Sequence, residues 1–419
     1  MAAFEPGRLL IRRELSLLTA YTAMYDIIVI GAGITGSFTA RELAKLGYRV
    51  CTLDKRPSAG NKSSCTGIVS SECMELLPVN DSIIQQKAHS ARIFSPAGNF
   101  IRIERDSTQA YILDRPKLDM WMASQAQACG AEFRFNTFVE SIDQSKEGVI
   151  VTCQHNRRHF DLEAGVAIIA SGFSGRLTGK LGLGQISYYA RGAQSEVTCR
   201  DIDETEVYCG NELAPGFFAW LVPTGGSRAK AGLLCRSNPH KYMASFLSRL
   251  VRLGKIFPAE FSISYGNIPL QPLSRTYGNR FVVIGDAAGQ AKPTTGGGIY
   301  FGLLAAREAI TVLDDAFKER DLTARYLSRY QKRWRQILGR ELSIDYWAHR
   351  FYQRLDDRQI SHIFDLIERH GIHESFLTSP DISFDWHSKI ITEAIKHRSL
   401  QRALKEFHLK SPERLKHKT

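Results

Sequence analysis

Short β-forming runs, each closed by glycine or an acid, fill the first part of the chain. Strict alternation follows, and helical spacing ends it. Tyr25–Ile30 is a mostly apolar run that enters Gly31, Gly33 and Gly36, and a helical pattern comes next. A second strand, Tyr48–Asp54, begins after Gly47. Residues 91–104 alternate on either side of Pro96-Ala-Gly-Asn99 and read as a hairpin. Asp114-Arg115-Pro116 opens a helix with Leu118, Trp121, Met122 and Gln125 at helical spacing as far as Gly130. Short strands are expected at 132–136, 148–153 and 166–170. Between 185 and 265 the period becomes two, in Gln194–Thr198, Glu206–Tyr208, Phe217–Val222, Ala229–Leu234 and Phe261–Tyr265, the composition of an antiparallel sheet. Phe281–Asp286 returns to a buried strand, and helices are expected over Tyr326–Trp347, Ile360–His370 and Ser388–Phe407.

This pattern describes an α/β chain. Residues 24–184 and 276–318 form a discontinuous nucleotide-binding domain, 185–275 an inserted antiparallel domain for a substrate, and 319–419 a C-terminal helical region. Residues 1–23 read as an N-terminal extension, expected to be disordered. Arg8, Arg12 and Arg13 beside Leu9, Leu10 and Ile11 leave a transit-like leader as the alternative. At 43% hydrophobic residues, with no apolar run near the roughly 18–20 residues that span a bilayer, the composition is that of a globular protein.

Charge alters the picture at the C-terminal end. The net charge is +12, and from Lys318 onward there are 21 basic and 14 acidic residues. No nucleic-acid module accompanies the excess, so nucleic acid is not an expected partner; an acidic membrane surface or a solvated helical face remains. In Ser388–Phe407 an apolar stripe of Ile391, Ala394, Ile395, Leu400, Leu404 and Phe407 is ringed by Lys389, Lys396, Arg398, Arg402 and Lys405. That stripe fits either peripheral membrane contact or packing on the main body. The eight cysteines show no metal-ligand spacing, so no metal is expected, and the compartment is read as reducing and cytoplasmic.

Two glycine-rich turns carry the candidate chemistry. In Tyr25-Asp-Ile-Ile-Val-Ile-Gly-Ala-Gly-Ile-Thr-Gly36, Gly31 permits a tight turn off the strand, Gly33 admits a pyrophosphate to the backbone, and Gly36 lets the helix close on the sheet. The helix N-terminus offers free N–H groups to phosphate, and Asp54 ends the second strand where a ribose hydroxyl needs an acceptor. The second turn is Phe281-Val-Val-Ile-Gly-Asp286, followed by Thr294-Thr-Gly-Gly-Gly298 and a new helix at Ile299. A carboxylate after a strand can hold ribityl hydroxyls, and a helix N-terminus can stabilise negative charge on a ring.

Together, Gly31-x-Gly-x-x-Gly36, Gly285-Asp286 and Gly296-Gly-Gly-Ile299 resemble the FAD site of the p-hydroxybenzoate-hydroxylase-like flavoproteins. Within that group the chain resembles the geranylgeranyl reductase family over nearly all its length after Met24. Cys65-Thr-Gly-Ile-Val-Ser70 is similar to that family's Cys-containing loop beside the flavin, and Tyr111-Ile-Leu-Asp-Arg-Pro-Lys-Leu-Asp119 to its Arg-containing helix entry. Phe218-Ala-Trp-Leu-Val-Pro223 matches the family's Tyr-x-Trp-x-Phe-Pro motif at Trp220 and Pro223 only. The resemblance implies a Rossmann-like FAD-binding domain with FAD ligands at Gly31, Gly33, Thr35, Gly36, Asp54, Cys65, Thr66, Arg115, Val139, Asp286, Gly298 and Ile299. Val139 reads equally well as a core residue at a strand end.

The resemblance also implies reduction of isolated C=C bonds in an isoprenoid chain by hydride from reduced flavin. Such an alkene has no polar handle, so burial of the chain must supply the binding, at roughly 0.8 kcal/mol per CH₂. Phe218, Trp220 and Pro223 are the candidate lining residues, with Phe217, Trp347, Phe351 and Tyr352 behind them. Cys65 is the candidate catalytic residue, as a thiol that positions the alkene or relays a proton; an inert buried cysteine is the alternative. The matching place for a shared FAD/NADPH Asp-Gly motif reads Ala170-Ser171-Gly172, which leaves NAD(P)H and a ferredoxin-like protein as electron donors. Three rival readings share the fold: a flavin-dependent monooxygenase, a halogenase using Lys62 or Lys87, and a non-enzymatic prenyl-chain carrier.

Overall fold

The computed structural model describes residues 24–61, 64–77, 79–377 and 383–406. The N-terminal extension, Lys62 and Phe407 lie outside the described residues.

The first half runs β1 (Tyr25–Ile30), α1 (Ile34–Lys45), β2 (Val50–Leu53), β3 (Ile68–Ser70), α2 (Ser71–Leu76), β4 (Ile84–Ala88), β5 (Ser90–Phe94), β6 (Phe100–Glu104), β7 (Ala110–Leu113), α3 (Arg115–Ala128), β8 (Glu132–Arg134), β9 (Phe138–Gln144), β10 (Val149–His155) and β11 (Arg158–Ile169). After α4 (Gly175–Lys180) come β12 (Tyr189–Thr198), β13 (Thr205–Cys209), β14 (Phe218–Gly225), β15 (Arg228–Cys235), α5 (Pro239–Arg252) and β16 (Ile263–Pro269). The last part holds β17 (Tyr277–Gly278), β18 (Phe281–Val283), α6 (Ile299–Lys318), α7 (Ala324–Tyr352), α8 (Asp357–Arg369), α9 (Ile372–Leu377), α10 (Ser388–Lys396) and α11 (Arg398–Glu406).

Three sheets result. In the eight-stranded sheet the path is β17-β18-β11-β1-β2-β8, and β9 and β10 branch from β11. β18, β11, β1, β2 and β8 are parallel along this path, so their carboxyl ends gather on one edge, where ligands bind in open α/β sheets. Burial on both faces explains why β18 and the Ile27–Ile30 part of β1 read as unbroken apolar runs. The seven-stranded sheet has the order β16-β12-β15-β14-β13-β5-β6, and a three-stranded sheet, β3-β7-β4, joins the two.

Two features depart from the sequence pattern. The β5–β6 hairpin lies in the nucleotide-binding half by position, yet β5 pairs parallel with β13 and extends the second sheet. Period-two reading of 185–265 also passed over α5, a 14-residue helix with Pro239 in its first turn and Met243, Phe246, Leu247 and Leu250 buried. These four recur at the 0, 3, 4, 7 spacing of a helix face. They cover Ala219, Leu221, Ala231 and Leu233, one face of the second sheet. The opposite face is turned toward the second glycine-rich turn, where Gly296 meets Leu234 and Ile268.

α7 braces the second glycine-rich turn from behind. The Trp334 Nε1 donates to Thr276 Oγ1 at 3.0 Å and the Tyr330 hydroxyl to the Val283 carbonyl at 2.9 Å. Gln290 links the two elements, donating to the Tyr330 oxygen at 2.9 Å and accepting from Gly285 N at 2.7 Å.

The tail departs in part from a single helix over Ser388–Phe407. His397 has extended backbone (ψ 126°) and separates α10 from α11. Leu400 and Ala403 are buried against Leu366 and Ile372, so this part of the apolar stripe packs on the body. No helix among the described residues is long and apolar enough to cross a membrane. Truncating the fully buried indole in Trp334→Ala is expected to cost about 3–5 kcal/mol, read as a large fall in the thermal midpoint.

Candidate active site

Gly31, Gly33 and Gly36 do three different jobs. Gly31 has φ +113°, and a Cβ there would stand 2.3 Å from the Ala170 carbonyl oxygen on the neighbouring strand. A Cβ on Gly36 would stand 1.9 Å from the Gly31 oxygen, so only glycine lets α1 begin this close to the turn. Around Gly33 a Cβ would meet no protein atom within 4 Å, and the backbone there is open to a ligand. Thr35, one residue into α1, packs against the second turn. A Cβ on Gly302 would come within 2.7 Å of Thr35 Oγ1, and one on Gly285 within 3.3 Å. Two stretches some 250 positions apart in sequence therefore share one contact.

Asp54 is buried at the end of β2 and accepts four hydrogen bonds. Ala32 N donates to Oδ2 at 2.7 Å, which ties the acid to the glycine turn. Arg56 donates three times: its backbone N and Nε reach Oδ1 at 2.8 and 3.1 Å, and Nη2 reaches Oδ2 at 3.1 Å. Burial alone would raise the carboxyl pKa, but the Arg56 and Ala32 donors together hold it below the ordinary carboxylate value. Arg56 was not singled out from the sequence, although it sits two residues past an acid it can fold back onto.

Asp286 lies within the electrostatic reach of Arg115. Burial pushes the Asp286 carboxyl up, and the Arg115 charge opposes this. No described residue hydrogen-bonds the Asp286 side chain, whose Oδ1 would lie 2.5 Å from a Cβ on Gly298. Arg115 is buried and donates from Nη2 to Asp119 at 2.9 Å, while its Nε has no partner; Ser171 Oγ is likewise buried and unpaired. Buried orphan polar atoms are costly unless a guest satisfies them. A carboxylate open to hydroxyl donors, a guanidinium with a spare donor and a bare glycine turn suit the ribityl and diphosphate parts of FAD. Gly298 caps α6 and Ile299 begins it, so the N–H groups of this helix start face the same region. Val139 lies 6% exposed in the core between β9 and its neighbours, paired with Cys153.

The Cys65 loop is clamped to the second sheet. Thr66 Oγ1 donates to Gln194 Oε1 at 2.7 Å, and Lys230 Nζ donates to the Thr66 carbonyl at 3.0 Å. Gly67, at φ +84°, lets the loop press on the Leu113 carbonyl and the Arg115 stem. Cys65 then lies beside both Arg115 and Lys230. Lys230 is 4% exposed, and burial lowers its pKa. A lysine within an alternating strand reads as solvent-facing, which is why the sequence did not single it out.

Strand alternation fixes what the sheet shows the flavin side. Trp220 pairs with Gly232 and Val222 with Lys230, so Phe218, Trp220, Lys230, Gly232 and Leu234 share one face. The Trp220 indole lies where a Cβ on Gly232 would come within 2.5 Å of it, and its Nε1 is buried without a partner. Gly296 of the second glycine turn closes on this face at Leu234 and Ile268. Phe217 packs with Leu234 and Leu270 in the same cluster. Pro223 does not join it: alternation turns it to the α5 side with its partner Ala229. Trp347 and Phe351 stack on each other at 5.6 Å, and the Tyr352 hydroxyl donates to the Phe217 carbonyl at 3.0 Å.

A strap over 383–388 crosses the second glycine turn, also unseen in the sequence. Asp385 pairs with the buried Lys292 ammonium, and His387 Nδ1 lies 2.7 Å from Thr294 Oγ1. Thr294 Oγ1 is also 3.0 Å from Asp345, and Glu341 accepts the backbone N–H groups of His387 and Ser388.

Asp54→Asn is expected to weaken charge-assisted bonds that contribute about 1.5–3 kcal/mol, seen as lower flavin content and a lower thermal midpoint. In the parent protein the depressed carboxyl binds its proton less tightly when folded. Its contribution is therefore complete above about pH 4 and is lost as pH falls below that. Acid titration of flavin retention checks the sign, and the Asn variant should lack that limb.

Comparison with known proteins agrees with this geometry. Residues 24–240 match the FAD binding domain family. A digeranylgeranylglycerophospholipid reductase from Methanothermobacter thermautotrophicus is 30% identical over 358 residues, 82% of this chain and 92% of that protein. The corresponding reductase of Methanocaldococcus jannaschii is 29% identical over 75% of this chain and 83% of its own. Among solved structures, a geranylgeranyl bacteriochlorophyll reductase-like protein from Thermoplasma acidophilum superposes with a TM-score of 0.79 at 22% identity, covering 92% of this chain and 99% of that one. A flavin-dependent halogenase shares the fold with a TM-score of 0.66 at 16% identity, over 89% of this chain and 76% of its own. A domain match over more than half the chain, and 30% identity along most of a full relative, make this FAD-binding protein a member of the geranylgeranyl reductase family.

Proposed function

We propose that this protein reduces C=C bonds of an isoprenoid lipid, with FAD bound between the two glycine-rich turns and the lipid chain laid on the second sheet. The observation that carries the reading is the clamp on Cys65. Lys230 and Gln194, from the sheet that carries Trp220, hold the loop that carries the thiol, and Arg115 of the FAD-binding half lies against it. An apolar wall and a flavin-facing thiol are thus fixed to one another by buried polar bonds.

FAD, when bound and reduced, supplies the hydride. The chain supplies the rest. Gly31, Gly33, Thr35 and Gly36 give the diphosphate a bare helix start, Asp54 with Arg56 anchors that turn, and Arg115 holds a spare donor toward it. Asp286, Gly298 and Ile299 take the ribityl and ring end, with Thr66 and Cys65 along its edge; Val139 contributes backbone near the adenine. Phe218 and Trp220 give the alkene an apolar surface, which matters because only burial and orientation act on such a substrate. Cys65 positions the double bond opposite the hydride donor. Electrons come from NAD(P)H or a ferredoxin-like protein, and the basic tail touches the membrane in which such a lipid resides.

Anaerobic incubation of the dithionite-reduced protein with prenyl lipids, followed by mass spectrometry, is expected to show products gaining hydrogens in pairs. An unchanged lipid mass across isoprenoids would sink the reading. Oxygen- or halide-dependent products would favour the monooxygenase or halogenase alternative instead. In the same assay Cys65→Ala is expected to lower turnover by one to three orders of magnitude with flavin content unchanged, the scale of a lost orienting contact.

A further inference from the structure

An ammonium group lies deep beside the Cys65 loop with little to neutralise it. Lys230, near the start of β15, is 4% exposed. Its Nζ donates to the Thr66 carbonyl at 3.0 Å, and among the described residues no carboxylate lies within ion-pair distance of it. An ammonium carries further N–H donors beyond that one. Chains seldom bury a charge unpaired, because the lost hydration must be replaced. A neutral amide would clamp the same carbonyl at lower cost, so the charge itself calls for a role.

The register of the sheet gives its surroundings. Lys230 pairs with Glu196 of β12, and Gly232 with Gln194. Directly opposed residues share a face, with Cβ atoms about 4.5–5.5 Å apart. Glu196 is exposed and Gln194 is buried, so this row runs from solvent inward. The Cys65 loop lies across it. Thr66 Oγ1 donates to Gln194, and a Cβ on Gly266 of β16 would stand 3.2 Å from Ser64 Oγ. Cys65, between these two contacts, is only half-buried, whereas Lys230 is shut away from solvent. The titratable and charged groups facing Nζ are Cys65, Glu196, Asp114 and Arg115. Burial lowers the Lys230 pKa; Cys65, Glu196 and Asp114 oppose this, and Arg115 adds to it.

We infer that Lys230 supplies the proton of the C=C reduction, taking it from solvent by way of Glu196 and handing it to the Cys65 thiol. One alkene carbon receives a hydride, with its electron pair, from reduced FAD. The other carbon uses the alkene π pair to bind the Cys65 proton, and the S–H pair stays on sulfur. Lys230 then gives an N–H proton to that sulfur, keeps the electron pair as a neutral amine, and is recharged through Glu196. Lys230 does not touch the alkene. It is a positioning residue for Cys65 that also keeps the sulfur protonated. The inference rests on the isoprenoid reading above and adds the proton source to it.

Single-turnover reoxidation tests this, with FAD-loaded protein reduced by stoichiometric dithionite and mixed anaerobically with a prenyl lipid that the protein reduces. In the parent the rate is expected to fall as pH rises through the Lys230 pKa, below the ordinary lysine value, because the donor must be protonated. Lys230→Met should be slower by about 10²-fold, with flavin content unchanged and that basic limb lost. Methylammonium added to Lys230→Ala should restore part of the rate, an effect that a mere clamp would not show. Lys230→Arg keeps a donor for Thr66 but never releases its proton, so it should stay as slow as Lys230→Met. Competitive acetylation, read by peptide mass spectrometry without any turnover, should place the Lys230 midpoint below that of exposed lysines. Parent-like rate and pH profile in Lys230→Arg, or an unshifted acetylation midpoint, would overturn the proton path and leave the reductase reading intact. A parent protein that no prenyl lipid reoxidises would remove that reading, and this inference with it.

Discussion

The structure depends on how closely three backbones approach at the carboxyl edge of the parallel sheet. β1, β11 and β18 end together there, and side chains on Gly31, Gly36 or Gly302 would each collide with a neighbour. Removing them brings α1 against its own turn and α6 against Thr35, so two helix starts converge on one volume. On the proposed reading neither helix start suffices alone: one serves the diphosphate end and the other the ring end of the same cofactor.

That convergence was largely legible in the sequence, since glycine spacing after an apolar strand is a statement about backbone approach. β1, α1 and β18 follow from local residues. The partners of the site were less legible because they come from distant sequence. Arg56 takes up Asp54, Lys230 ties down Thr66, and Asp385 reaches Lys292, and none of these pairs has a sequence spacing that announces it. The β5–β6 hairpin was readable as a hairpin, but which sheet it joins is decided by the parallel pairing of β5 with β13, a tertiary choice. α5 was readable and was masked by the strands on either side. Trp220 and Pro223 fell together in a sequence motif, yet their separation of three positions along the strand puts them on opposite faces.

Buried polar groups of the site divide into two kinds. Asp54 and Lys292 are paired within the chain and fix the geometry of the turns. Asp286, Arg115 Nε, Ser171 and Trp220 Nε1 are left with unmet capacity on the flavin side. Protein interiors seldom tolerate such atoms. Their concentration around one volume, framed by bonds that are satisfied, is the arrangement of a fold shaped around a polar guest on one side and an apolar guest on the other.

The 383–388 strap has a mechanical meaning. Through Asp385, His387 and the Glu341 carboxylate, the start of α10 is fastened to the loop that precedes α6. The last helices are therefore linked to the flavin turn. α11 also rests on Leu366 of α8 and Ile372 of α9, so a load on the tail is shared between that packing and the loop of Lys292 and Thr294. The strap is thus the one described part of the tail that bears directly on the second glycine-rich turn.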